Sequence, residues 1–421
     1  MKKKIRSKNP LIDTLLTIRG NQRVAIFTEP LYGIPFNLYT PFVSIYMSSL
    51  GLSPVQIGFV AMLTLLSQMV SSLFGGVLAD KMGRRKSLFV FDIFAWVIPY
   101  FLWATAQGFP AFVVAALLNG MWRISNVSFS LLIVEDADMK RLSHMYGLMN
   151  LATLLAGFVS PLAYIFVQKY SLVPTMRTMY FVAMVLMIIK NLVLYLGTYD
   201  TDVAKRRMEA SKGKGVISSL LNSKKLLLDL LTTPRTLLAI GLMSCYLIIK
   251  TVNDSFWPLF VTDYVKIADE NLSIFNTVRL IVMLLSTIFI FPNISLSKFK
   301  SPLFVSFFAY VAVNIMYSLL KTGSFLGLTI GTFVEALALS IIIPMTNSIL
   351  TATIEQEERA RQLSFAFMVS LLVSAPFSLI GGWLSKISRI LPLFLSAIIA
   401  LLGCIFTIRL NKINEKEGII L

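Results

Sequence analysis

Apolar runs of eighteen or more residues recur from one end of this chain to the other, and nothing else in the sequence constrains the fold as strongly. Each run is long enough to cross a hydrocarbon core of roughly 30 Å as a helix. Lipid offers the backbone no hydrogen-bond partner, so a crossing segment must bond its own N–H and C=O groups, and a helix does so within itself. Composition agrees: 56% of the 421 residues are hydrophobic and 14% are charged, against about 25% charged in soluble domains. The spans read as 24–49, 55–78, 87–107, 110–134, 145–168 and 177–198, then 236–262, 272–294, 302–320, 325–350, 363–385 and 389–409. The expected fold is therefore an all-α membrane protein of about twelve transmembrane helices in two six-helix bundles. Its parts are a basic tail (1–23), an N-terminal bundle (24–198), a basic linker (199–235), a C-terminal bundle (236–409) and a second tail (410–421).

The placement of charge sets the orientation. The net charge is +17, and most of the 38 Lys and Arg fall in alternate loops and the two tails. That is the positive-inside pattern, which predicts a multi-pass protein of the cell membrane with both termini cytoplasmic. Nucleic acid is not an expected partner, because no basic stretch is long enough, or interleaved with aromatics, to form a groove for it. The tail residues Leu11, Ile12, Leu15, Leu16 and Ile18 allow a short helix lying on the membrane face. In the linker, Val216 to Leu231 alternates apolar and basic residues at helical spacing, which suits either a helix on anionic headgroups or a solvated connection. MKKKIRSK is not followed by the apolar core and small-residue site of a cleavable signal, so none is expected.

The residues of metal and covalent chemistry are scarce. Cys245 and Cys404 lie within apolar spans and read as small core residues, and His144, the single histidine, sits alone in a loop. No metal site and no cofactor are expected. There is no G-x-x-x-x-G-K-[ST] loop and no activated nucleophile, so neither nucleotide hydrolysis nor a membrane-embedded enzyme is expected.

The two sets of six spans resemble each other. The fifth span carries Gly157 and Ser160-Pro161, and the eleventh carries Ala375-Pro376 followed by Gly381-Gly382. Each follows a loop of acids and then bases: Glu135, Asp136, Asp138, Lys140 and Arg141 in one half, Glu355, Glu357, Glu358, Arg359 and Arg361 in the other. Helix breakers at matching places point to a transporter built from repeats, and two matched halves suit alternating access better than a channel or receptor.

Between the second and third spans the chain reads Gly75-Gly76-Val77-Leu78-Ala79-Asp80-Lys81-Met82-Gly83-Arg84-Arg85-Lys86. Gly76 lacks a side chain, so another helix could approach closely. Gly83 permits a turn with positive φ. Asp80, at its helix end, could accept hydrogen bonds from the N-terminus of a neighbouring helix. This segment resembles the signature loop of the major facilitator superfamily. The resemblance implies a secondary transporter in which Asp80 meets the eleventh span and Arg84 pairs with an acid ending the fourth, here Glu135 or Asp136, holding one side closed. Arg85 and Lys86 read as topology anchors. Arg123-Ile124-Ser125-Asn126 is similar in part to the family's intramembrane arginine motif. The Gly157–Pro161 stretch resembles its antiporter motif without the later glycine pair, which weighs against antiport.

Charges inside the spans are costly, at least ~2.5–3.5 kcal/mol each when unpaired, and so carry the most information. Glu29, Arg123, Lys250, Asp254, Arg279 and Glu335 are three acids and three bases. By the resemblance, spans one, four, seven and ten line a central cavity. Lys250 and Asp254 share a helix face, as a working or a structural pair, and Arg279 lies at a depth to meet Asp254. Asn37 continues a polar stripe from Glu29 down the first span, and Tyr246, Asn253 and Trp257 face inward as candidate substrate contacts. Glu335, Asp254 and Glu29 are the proton-coupling candidates, in that order. Asp92 reads as a helix contact near the cytoplasmic end, and Lys190 as a peripheral lysine reaching for the interface. The expected activity is proton-coupled movement of a small organic molecule by a monomer, with efflux of amphipathic compounds ahead of uptake or exchange of a sugar or organic anion.

Overall fold

The computed structural model describes residues 18–135, 155–212, 232–354 and 359–417. Asp136, Asp138, Lys140, Arg141, His144, Glu355, Glu357, Glu358, the tail helix apart from Ile18, and the Val216–Leu231 segment lie outside the described residues. The rest is helical, with no strand among the described residues.

Twelve helical passes follow one another. α1 combines Gly20–Tyr39, a 3-10 turn at Thr40–Phe42 and Val43–Ser49. α2 is Pro54–Met82, α3 Arg84–Thr105, α6 Leu172–Gly197, α7 Pro234–Tyr264 and α8 Asp269–Phe289. α4 runs over Phe109–Asn119 and Trp122–Val134, and α5 over Gly157–Val159 and Ser160–Tyr170. α9 is Lys300–Ser318, α10 Phe325–Ala352, α11 Arg359–Ile387 and α12 Leu391–Glu417. Among the described residues, nine of these are long and apolar enough to cross a membrane. The other three carry breaks: α1 at Pro41, α4 at Gly120–Met121, and α5 in the 3-10 turn before Pro161.

Local chemistry sets the ends. Ser53 caps α2 in a reciprocal box with Gln56, with Pro54 at the first helical position. Gly83, at φ +83°, turns α2 into α3 with no linker, a conformation that strains any side-chain-bearing residue. Near the 3-10 turn of α1, Thr40 Oγ1 bonds the Phe36 carbonyl at 2.6 Å and Asn37 Nδ2 the Gly33 carbonyl at 2.8 Å. These side chains add a second hydrogen bond to helix carbonyls and keep their own polar atoms paired inside the pass.

α11 corrects an expectation. It runs unbroken through Pro376, which is exposed, and through Gly381 and Gly382, which are packing positions rather than breakers. A Cβ on Gly382 would lie 2.6 Å from the Pro54 carbonyl oxygen, and one on Gly58 2.4 Å from that of Ser378. α2 and α11 therefore meet backbone to backbone at the end of the molecule opposite the termini, joining the two halves there. At mid-height Gly157 of α5 admits Leu280 of α8, and Asn276 donates to Ser160 at 3.1 Å. Gly76 does not have the role expected of it: a Cβ there would meet nothing within 4 Å, whereas one on Gly75 would meet Val127 at 2.9 Å.

Candidate functional site

Three charged clusters stand out, one in each half and one at the Gly83 turn. In the C-terminal half Glu335 of α10 is buried, at 1% exposure, and side chains from three other helices reach it. Asn253 of α7 donates its amide to Oε1. Arg279 of α8 sits 3.3 Å from Oε1 and 3.4 Å from Oε2, and the Tyr317 hydroxyl of α9 donates to Oε2 at 3.2 Å. Arg279 thus pairs with Glu335 rather than with Asp254. Its guanidinium also lies 5.2 Å from the Trp257 ring centroid. The reason is rotational: three helices present complementary groups to one carboxylate, which satisfies more of its lone pairs than a single ion pair could.

Lys250 and Asp254 form their i, i+4 ion pair one turn away, with side chains 51% and 48% exposed although they sit midway along an apolar pass. Charges so open in the middle of a pass are costly against lipid and suit a face turned to water. Arg123 of α4 approaches the same stretch of α7. It is within electrostatic reach of Tyr246 and stacks 5.5 Å from the Phe367 ring of α11. The Trp257 indole N–H and Arg123 Nε are buried with no hydrogen-bond partner among the described residues. They are donors a bound solute could use.

The N-terminal half differs. Lys190 Nζ is 2.9 Å from Glu29 Oε2, both side chains are almost fully buried, and the ammonium sits 5.0 and 5.2 Å from the Tyr32 and Phe129 ring centroids. Lys190 therefore does not reach for the interface, because a buried carboxylate and two ring faces hold it inside. Asp92, 5% exposed, has Lys190 of α6, Ser125 of α4 and Glu29 of α1 as neighbours. Above them an aromatic column joins α1, α3 and α6, with Tyr32 and Trp96 centroids 4.9 Å apart, Tyr39 and Tyr180 4.8 Å apart, and the Tyr39 and Tyr100 hydroxyls at 3.1 Å. The sequence reading missed this column, although its signal was present. Tyr32, Phe36 and Tyr39 repeat the spacing of Trp96, Tyr100 and Trp103.

At the Gly83 turn, buried Arg84 meets Asp80 at 2.7 Å and Glu135 at 2.9 Å. Thr201 donates to the other Glu135 oxygen, and Thr201 caps a linker helix over Asp202–Ser211. That helix lies on the loop: Ser211 donates to the Asp80 carbonyl at 3.1 Å, and Asp200 accepts from the Arg85 backbone at 3.1 Å. Arg85 is more than a topology anchor, since its guanidinium bonds the Tyr195 carbonyl and lies 4.1 Å over that ring. Among the described residues Asp80 bonds within its own loop and the linker, not to α11.

Comparison with known proteins places this geometry. The sequence profile described as Major Facilitator Superfamily matches residues 27–323. Quinolone resistance protein NorA of Staphylococcus aureus strains COL and N315 is 30% identical over 98 residues, which is 23% of this chain. The match spans about a quarter of the length of those relatives, 25%. A mutant form of a peptide transporter POT solved with sulfate superposes with a TM-score of 0.70 at 15% identity, covering 94% of each chain. The xylose transporter XylE of E. coli, inward open, gives 0.69 at 13% identity over 92% of this chain and 95% of its own. The nucleoside transporter NupG gives 0.66 at 13% identity over 93% and 98%. At these identities the likeness is one of fold.

Proposed function

The chain belongs to the Major Facilitator Superfamily, and on that premise we propose a proton-coupled secondary transporter that extrudes amphipathic or drug-like organic molecules by alternating access. Glu335 carries the reading. It is a carboxylate at the centre of a pass, reached by helices α7, α8 and α9 and placed one turn from the solvent-reachable Lys250–Asp254 pair. An intramembrane acid so placed can take up a proton and release Arg279 and Asn253 to other partners. Trp257 and Tyr246, buried on the same helix as that pair, and Arg123 supply rings and unpaired buried donors that an amphipathic solute could use on entering. The partial likeness to a quinolone resistance protein supports the outward direction.

Three bases around the cavity, Arg123, Lys250 and Arg279, favour a second reading, uptake or exchange of an organic anion or sugar with a proton. In both readings the protein acts as a monomer in the cell membrane with its termini in the cytoplasm, as its Lys and Arg placement supports. With that orientation the glycine contacts of α2 with α11 lie on the outer side. Purified protein in liposomes tests the proposal. An imposed pH gradient should drive accumulation of a quinolone or a lipophilic cation, and a protonophore should abolish it. Accumulation of an organic anion or sugar instead supports the second reading, and transport of all four indifferent to the gradient contradicts both.

A further inference from the structure

The N-terminal cluster has a surplus acid. Glu29, Lys190 and Asp92 are all buried, and the 2.9 Å Lys190–Glu29 contact already uses the one base among them. Asp92 lies beside that pair, nine residues into α3 from the Gly83 turn. The other groups facing it are Ser125 of α4 and the hydroxyls of Tyr32 on α1 and Tyr100 on α3. None carries a positive charge. With both acids ionised the cluster would hold an uncompensated negative charge in a water-poor site, a condition a buried site relieves by taking up a cation or a proton. The surroundings select between these. Lys190 already occupies the place a metal cation would need, and Ser125 with the two tyrosines offers too few oxygens for a cation shell.

We propose that Asp92 is a second proton-binding site, in the N-terminal half, distinct from Glu335 and independent of the coupling assigned to it. The step is simple: a proton from water adds to one Asp92 carboxylate oxygen, and the Glu29–Lys190 pair keeps its charges. Because Lys190 interacts with both acids, the proton belongs to the coupled set rather than to one oxygen. Protonation removes the pull of Asp92 on Lys190 and so loosens the junction of α3 with α1 and α6 from the side of the Gly83 turn.

Infrared titration of the full chain in lipid tests this with no substrate present. In the Glu335→Gln background, where the C-terminal acid is silent, a carboxylic C=O band should appear and vanish across the neutral pH range. Asp92→Asn should remove it. Labelling aspartate carboxyls with carbon-13 should shift the band in otherwise unmodified protein, and Asp254→Asn should leave the shifted band in place, so the test survives a poorly folding Asp92 variant. Lys190→Met should enlarge the band as the neutral form gains favour. A band constant at every pH, no neutral-range band at all, a band unmoved by aspartate labelling, or one displaced by sodium at fixed pH would each overturn the proposal. Failure of Glu335 as coupling acid would show in transport alone and leave this titration unchanged.

Discussion

In the N-terminal half the Lys190–Glu29 pair is sealed between Tyr32 and Phe129, whereas in the C-terminal half about half of each side chain of the Lys250–Asp254 pair is open to solvent. Both are single ion pairs within apolar passes. What separates them is which surface their helices present. α1, α3 and α6 build an aromatic column beside their charges, while α7 leaves its pair exposed and presents Asn253, between the two, to the buried Glu335 of α10. One half therefore encloses its charges, so that nothing larger than a proton need reach them, and the other leaves a pair open to larger partners.

The comparison breaks most visibly in stability. Lys190→Met strands Glu29 in a sealed site and should cost ~3–5 kcal/mol, read as a large drop in thermal stability in detergent. Lys250→Met, at an open pair, should cost about 0–1 kcal/mol. Equal losses would erase the distinction. The double variant Lys190→Met with Glu29→Gln should recover part of the loss, with a coupling on the order of 0.5–3 kcal/mol.

Accessibility sharpens the same contrast. In a cysteine-free background, Asp254→Cys should react with a membrane-impermeant thiol reagent about tenfold or more faster than Ser125→Cys, because only exposed thiolates attack. The linker gives an effect below that of the sealed pair. Thr201→Val removes both the hydrogen bond to Glu135 and the helix cap on the Ala204 N–H and should cost about 1–3 kcal/mol in all, with Arg84 still held by Asp80 and Glu135. A loss as large as that of Lys190→Met would mean that the linker helix, not the ion pair, secures the Gly83 turn.

The passes were legible in the sequence because apolar length and loop charge report them directly. The Gly83 turn and the nearness of Arg84 to Glu135 could be anticipated because the motif spacing sets them. The Lys190–Glu29 pair could not. Its partners are 161 residues apart, and α6 is apolar around much of its surface, so no stripe reveals which way Lys190 points. The same limit hid the partner of Arg279, since depth made Asp254 and Glu335 both reachable and only helix rotation chose Glu335. Pro376, Gly381 and Gly382 read as breakers by soluble rules, but inside a bundle a helix persists through such residues when neighbours pack against it.

The central claim is that Glu335 carries the coupled proton, and the most direct measurement compares exchange with gradient-driven transport in one Glu335→Gln preparation reconstituted in liposomes. The account predicts that the variant still binds and exchanges its solute across the membrane, with binding no longer dependent on pH, while an imposed pH gradient drives no net accumulation. Concentrative transport by Glu335→Gln under that gradient would contradict it and move the coupling to Glu29, Asp254 or another ion.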